Sequence, residues 1–193
     1  EKHIHTAAFI TSQCADISPW PVSEGLCTLE QHRSLSLELQ ARHLKMLNLT
    51  DDILIGNAYA SEEELKEVKQ VNENSIDTLN VVFYEGVSDL EKRMVCETHD
   101  YRGDASEYMI RSSHNRRKFS NDSVVKHDII RDIHKGDILI LNDDYGQYKG
   151  EVQIALKDRD GDDRINVVGR ICEDELILVD ALKPYQQFEL REK

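Results

Sequence analysis

Hydrophobic and polar positions change their rhythm about midway along the chain. In the first half, short apolar runs alternate with longer segments of helical composition. HTAAFI (His5 to Ile10) reads as a buried strand, and after a loop TLEQHRSLSLELQARHLKML (Thr28 to Leu47) has the length and residue content of a helix. Thr28 and Gln31 stand at capping-box spacing, which predicts a helix start at Thr28; the period-two LSLEL inside that segment is outweighed by its cap and length. DDILIGN then gives a strand at Ile53 to Ile55, followed by SEEELKEVKQV with Ser61 and Glu64 as a second box. The three glutamates there suit the positive end of a helix dipole better than a metal. TLNVVFYEG and SDLEKRMVCE form a third strand and helix, capped by Ser88 and Glu91. Three strand–cap–helix units predict a parallel sheet with crossover helices, although three parallel strands leave both sheet edges open.

After about His99 the rhythm becomes that of short strands and turns. GDILIL, GEVQIAL, RINVVGRI, ELILVDAL and QFEL are divided by Asp143 to Gly146, Asp158 to Asp163 and Glu173–Asp174. This spacing predicts an antiparallel sandwich or barrel. The expected organisation is therefore α/β over residues 1–98 and all-β, with its linker, over 99–193.

Composition narrows the function classes. The 193 residues carry a formal net charge of −13, which opposes binding to nucleic acid or to an anionic membrane surface, and no apolar run is long enough to cross a bilayer. Four cysteines without C-x-x-C pairing suit a reducing compartment. The opening EKHIHTAAFI lacks both an initiator Met and a signal-peptide pattern. DRDGDDR (Asp158 to Arg164) begins like a calcium loop, but it has Asp163 where the loop needs Gly and Gly169 where it needs Glu, so it reads as a hairpin turn. His3 and His5 suggest no third ligand. Neither a metal nor a cofactor is expected.

Candidate chemistry collects in two places. In parallel α/β folds the loops after the strands line the active face. The first such loop, TSQCADISPWPVSEGLC (Thr11 to Cys27), carries Gln13, Asp16, Trp20 and Glu24; the second offers Asn57 and Tyr59, and the third Tyr84 and Glu85. Paired carboxylates beside an aromatic fit glycoside hydrolysis, with one acid protonating the leaving oxygen and the other acting as nucleophile or base. Trp20, held between Pro19 and Pro21, could stack on a sugar ring or plug a gap, and a surface excursion is the alternative for the long loop. Arg102, Arg111, Arg116 and Arg117, with Lys118, cluster after His99 in an otherwise acidic chain. Forked arginine donors match carboxylate and phosphate, which makes the cluster an anion-site candidate against a solvated linker.

TAAFI, EGLCTLEQHR, ASEEEL, HDYRGDASEYMIRSS, KGDILILNDDYGQYKGEVQIALKD and INVVGRI, in that order, resemble the carboxyl-terminal half of the 6-phospho-N-acetylmuramidases, long described as an outer surface protein or domain of unknown function. The resemblance implies the last three βα units of a TIM barrel followed by a cyclophilin-like β-barrel domain, with about five earlier units absent. It also implies a cytoplasmic, cofactor-free bacterial enzyme of peptidoglycan recycling. The substrate would be a phosphorylated amino-sugar disaccharide, cleaved between N-acetylmuramic acid 6-phosphate and N-acetylglucosamine. Under it, Arg102 and Arg111, with Arg116 and Arg117 as further candidates, hold the phosphate or lactyl carboxylate, while Glu24, Asn57 and Glu85 line the sugar site, with Glu24 and Glu85 as the candidate catalytic carboxylates and Trp20 as a further substrate-binding candidate. A non-enzymatic carbohydrate- or protein-binding module is the competing class, and homo-oligomerisation is left open. In NDDYGQYKGEVQIAL, Gly146 is expected at a turn with positive φ, Gly150 at the start of a strand, and Tyr145 and Tyr148 as packing residues.

Overall fold

The computed structural model describes residues 4–18 and 25–193, and the chain separates into two compact units, Glu1–Ser75 and Ile76–Lys193. In the first unit, β1 (Ala7–Ile10) and β2 (Asp52–Ile55) pair in parallel, Ala7 opposite Asp52 and Ile10 opposite Ile55. Helices α1 (Leu37–Leu47) and α2 (Glu62–Glu73) accompany them. Ala8 and Ile10 pack with Leu37, Ala41, Leu44 and Val71 into the core of this unit. The Ser61–Glu64 capping box forms as expected, but α1 is capped eight residues beyond the predicted cap, after a 3-10 turn at Glu30–His32. Thr28 is committed elsewhere: its hydroxyl accepts from the Phe9 amide at 2.7 Å and its own N–H donates to the Phe9 carbonyl, tying the loop to β1. Ser36 caps α1 instead, so the alternating LSLEL straddles the helix start and its alternation carries no strand. His5 lies 3.1 Å from Asp52, and His3 falls outside the described residues.

One buried pair gives this unit an acid-sensitive point. His32 and His43 meet Nε2 to Nδ1 at 2.8 Å, with 0% and 3% exposure. Burial, and then the neighbouring imidazole, pull His32 down to about 4. The folded state thus holds His32 neutral while the unfolded chain protonates it near its ordinary value. Between about pH 6.5 and 4 the unfolded state binds the extra proton, so stability falls as pH falls, by at most about 3 kcal/mol from this group. Amide exchange at α1, followed from pH 7 to pH 5, should show the loss, and His32→Gln should flatten it.

The second unit contains β3 (Asp77–Phe83), α3 (Asp89–Val95), β4 (Thr98–Asp100), β5 (Met109–Ser112), α4 (His114–Lys118), β6 (Asp137–Leu141), β7 (Val152–Ala155), β8 (Ile165–Ile171), α5 (Leu176–Ala181) and β9 (Gln187–Glu192). Its seven strands run β4-β9-β3-β8-β6-β7-β5, and the two end strands approach each other. The Arg102 amide donates to the Arg111 carbonyl at 3.0 Å, and His99 Nδ1 meets the Ser112 hydroxyl at 3.1 Å, so the sheet nearly closes into a barrel. Ile110, Ile154 and Ile138 lie opposite one another across three strands, each 0–1% exposed.

Two expectations are corrected here. The third strand and helix are not a continuation of the first unit: β3 pairs antiparallel with β8 and parallel with β9, so the boundary falls between Ser75 and Ile76 rather than near residue 99. ELILVDAL is helix rather than strand, with Leu178, Val179 and Ala181 buried. It is anchored by the Glu175 carboxylate, which accepts from both the amide and the side chain of Asn80 at 2.6 Å. Asp158 to Asp163 does form the connection between β7 and β8, and Arg159 pairs there with Ile133 through two backbone hydrogen bonds of 2.9 Å.

Candidate functional site

The most concentrated polar chemistry of the second unit grows from the alternation of β5 and β7. Arg111 lies opposite Gln153 in the ladder, and Glu151 precedes Gln153 by two residues, so their side chains share one face. Glu151 is completely buried. Its Oε1 accepts from Arg111 Nε at 2.7 Å and Gln153 Nε2 at 2.9 Å, and its Oε2 from Arg111 Nη2 at 3.1 Å and the Ser113 hydroxyl at 2.9 Å. Arg102 and Arg116 stand 3.6 and 3.8 Å from the same carboxylate. Burial alone would raise the Glu151 carboxyl, but donation from Arg111, Gln153 and Ser113 outweighs it and holds the group below the usual carboxylate range. The carboxylate in turn pushes Arg111 upward.

Around this hub opens a cleft of about 600 Å³ whose wall includes Arg102, Ser113, His114, Arg116, Arg117 and Lys149. The loop Asn142–Gly150 forms its far side. Gly146 there has φ 60° and ψ −123°, a conformation open to glycine and the positive φ the sequence predicts; Gly150, expected at a strand start, has φ 79° and lies two residues before β7. Tyr148 packs against two arginines, with the Arg116 guanidinium 4.9 Å and that of Arg111 5.8 Å from its ring centre. Tyr145 meets Tyr148 edge-on at 6.2 Å.

The cations are not equivalent. Arg111 is forked onto Glu151 and also reaches Asp104 at 3.1 Å. Arg102 is forked onto Asp104 at 2.8 and 2.7 Å and donates to Ser113 at 3.0 Å. Lys149 donates to the Asp122 carbonyl at 2.9 Å and stands 3.4 Å from Asp143. Arg116 donates to the Gln147 carbonyl and is only loosely paired with Glu151. Arg117 is exposed and makes no ion pair among the described residues. The cleft therefore presents Arg116 and Arg117 as its least committed donors, inside a chain of net charge −13.

The other expected site residues fall as follows. Trp20 and Glu24 lie outside the described residues. Asn57 sits beyond the end of β2 and locks two loops of the first unit, donating to the Ser12 carbonyl at 2.9 Å and accepting from the Ser12 amide at 2.8 Å. Beside it Glu64, beyond its cap role, accepts from the Ser12 hydroxyl at 2.6 Å and the Gln13 amide at 3.1 Å. Asn57, Ser12 and Gln13 border a small cavity of about 290 Å³ that also includes Thr11 and Arg33. Glu85 is exposed just past β3, in the second unit, on a cleft of about 480 Å³ shared with Tyr84, Glu91, His127 and Arg131. The structure thus gathers Arg102, Arg111 and Arg116, and places Asn57 and Glu85 in different units. Glu151, Ser113 and Lys149 are not apparent from the sequence; the one available signal is Glu151 on the same parity as Gln153 in an otherwise apolar run. All four cysteines are free thiols, none of them in this cleft.

Comparison with known proteins follows the same division. A family model described as 6-phospho-N-acetylmuramidase, C-terminal, matches residues 77–191, and one described as 6-phospho-N-acetylmuramidase, N-terminal, matches residues 1–70. The crystal structure of an uncharacterized B. cereus protein superposes with a TM-score of 0.88 at 44% identity, covering 97% of this chain and 54% of that one. A conserved Enterococcus faecalis protein of unknown function superposes at 0.76 with 25% identity, covering 98% of this chain and 50% of its own. The chain spans about half the length of both. No curated protein matches it.

Proposed function

The chain belongs to the 6-phospho-N-acetylmuramidase family, and we propose that it serves a glycoside hydrolase which cleaves N-acetylmuramic acid 6-phosphate from N-acetylglucosamine during cytoplasmic peptidoglycan recycling. In this reading the parallel β1–β2 pair with its helices is part of a TIM barrel, and the nearly closed sheet is a cyclophilin-like domain. The observation that carries it is the arginine cleft. A 6-phosphate needs cations that are neither paired away nor repelled by the surrounding acidity, and Arg116 and Arg117 answer that need. Arg102 and Arg111 are positioning residues here: forked onto Asp104 and Glu151, they fix the wall against which the anion rests. Glu151 is no general acid, because its environment keeps it ionised. Glu24 is the candidate catalytic carboxylate of the first unit, with Trp20 and Asn57 toward the sugar, and Glu85 is a separate candidate in the second unit.

That same ionised, fully bonded Glu151 favours a second reading, in which the second unit binds the phosphorylated sugar and performs no chemistry itself. Incubation of the full-length protein with the phosphorylated disaccharide separates the two. Release of N-acetylglucosamine is expected, and at least tenfold weaker binding of the dephosphorylated disaccharide. Binding without release would leave the carbohydrate-binding module; equal binding of both disaccharides would remove the anion role of the cleft.

A further inference from the structure

One carboxylate beside the arginine cleft stands where a ligand anion would. Asp104 Oδ1 accepts from Arg102 Nε at 2.8 Å, and its Oδ2 accepts from Arg102 Nη2 at 2.7 Å and Arg111 Nη1 at 3.1 Å. A forked bond to one guanidinium, with a third contact from its neighbour, is the pattern by which arginines hold a carboxylate or a phosphate. The remaining nitrogen of Arg102, Nη1, donates to the Ser113 hydroxyl at 3.0 Å, and both residues line the cleft. An anion in the cleft therefore gains the forked edge of Arg102 only by displacing Asp104.

The two arginine forks differ in what holds them. Glu151 is 0% exposed, so its pair with Arg111 cannot open without stranding a buried charge. The Asp104 side chain is 49% exposed and that of Arg102 33%, and a pair so open to water is held weakly. The backbone has the same asymmetry. The Arg102 amide donates to the Arg111 carbonyl at 3.0 Å, and Tyr101 before it pairs with Tyr185 and Gln186 through backbone hydrogen bonds of 2.8 and 2.9 Å. Gly103, Asp104 and Ala105 make no backbone hydrogen bond among the described residues, so the carboxylate is free to swing out while Arg102 stays in place. We propose that Asp104 is a latch on the cleft, an internal competitor that keeps Arg102 in the wall until a dianion displaces it, and that it thereby sets the affinity of the cleft for phosphate. The inference rests on the anion role proposed for the cleft above and adds its regulation.

Titration of the full-length protein with inorganic phosphate, followed through the Nε–H signals of ¹⁵N-labelled arginine, tests this. Asp104→Asn should tighten phosphate binding about tenfold, and adding Arg102→Ala should abolish that gain. Asp100→Asn removes the same charge from the cleft wall, at a carboxylate hydrogen-bonded to Gln187 rather than to arginine, and should give a far smaller gain. In the wild type, saturating phosphate should shift the Arg102 Nε–H signal, a readout that serves if the Asp104 variant unfolds. Unchanged or weaker binding by Asp104→Asn would make Asp104 a positioning partner of Arg102 and overturn the latch. So would an equal gain from Asp100→Asn, or a gain that survives the loss of Arg102. If Asp104→Asn changes nothing while Arg116→Ala with Arg117→Ala still weakens binding, the latch alone fails. Absence of phosphate binding in both the wild type and Asp104→Asn would remove the anion role of the cleft and the latch with it.

Discussion

A Glu151→Ala variant is expected to lose about 4 kcal/mol of stability in the second unit, the range found when one member of a buried ion pair is removed. The wild-type carboxylate is fully buried, and four donors from three side chains converge on it. Without it, Arg111, only 21% exposed at its side chain, keeps one ion pair, at 3.1 Å to Asp104, and Gln153 Nε2 and the Ser113 hydroxyl lose their acceptor. Glu151→Gln should recover little, because its new N–H₂ faces donors. Removing Arg111 as well takes away the orphaned cation, so the double variant should be less destabilised than the sum of the singles by about 1–3 kcal/mol. Site-resolved amide exchange in β5, β6 and β7 at pH 7 measures this without assuming that both units unfold together. The pH dependence has a definite sign. A carboxyl held below its ordinary value of 4.5 contributes stability above that pH and loses it as pH falls toward the lowered value, so the gap between wild type and Glu151→Ala should narrow in acid. A loss under about 1 kcal/mol, or strict additivity with Arg111→Ala, would mean that the hub is decoration on a sheet held by its isoleucines alone.

How much of this was legible depends on how far apart the partners lie. The Ser61–Glu64 and Ser88–Glu91 boxes were readable because each closes within four residues. Thr28 satisfies the same local pattern and fails as a cap, since its hydroxyl is taken by Phe9, 19 residues earlier in the chain. The third strand and helix were rightly seen as elements and wrongly grouped. What decides the sheet of β3 is its pairing with β8 and β9, and nothing local to Asp77–Phe83 announces partners about a hundred residues downstream. ELILVDAL reads as strand by composition and folds as helix because Asn80 captures Glu175 at its start, again a distant event. The arginine cluster was legible as charge against an acidic background, but its internal division of labour was not. Which arginines are spent and which are available depends on Glu151 and Asp104, and Glu151 looks in sequence like a solvated strand start. Of the sugar-site residues, Asn57 also ties the Ser12 backbone through two hydrogen bonds, while Trp20 and Glu24 lie outside the described residues.

That division predicts a graded response to arginine removal. Arg116→Ala and Arg117→Ala together should weaken binding of an N-acetylmuramic acid 6-phosphate ligand about a hundred- to a thousandfold, roughly 3–4 kcal/mol, since each charge-assisted bond to phosphate is worth about 1.5–3 kcal/mol. The unphosphorylated ligand should lose little, and the wild-type preference for phosphate should shrink as salt rises, because Arg117 is exposed and therefore screened. Arg116→Lys keeps the charge but gives up the planar contact with Tyr148, so it should fall between wild type and Arg116→Ala. Arg111→Ala is the informative contrast. Its guanidinium is committed to Glu151, so its loss should appear first as weakened stability and, where the fold survives, as a smaller drop in affinity than the Arg116 and Arg117 pair produces. Isothermal titration with both ligands, at low and at moderate salt, resolves these cases. Should Arg111→Ala abolish phosphate discrimination while the double variant retains it, the anion would sit on the Glu151 side of the cluster, and the least committed donors of the cleft would be surface charge alone.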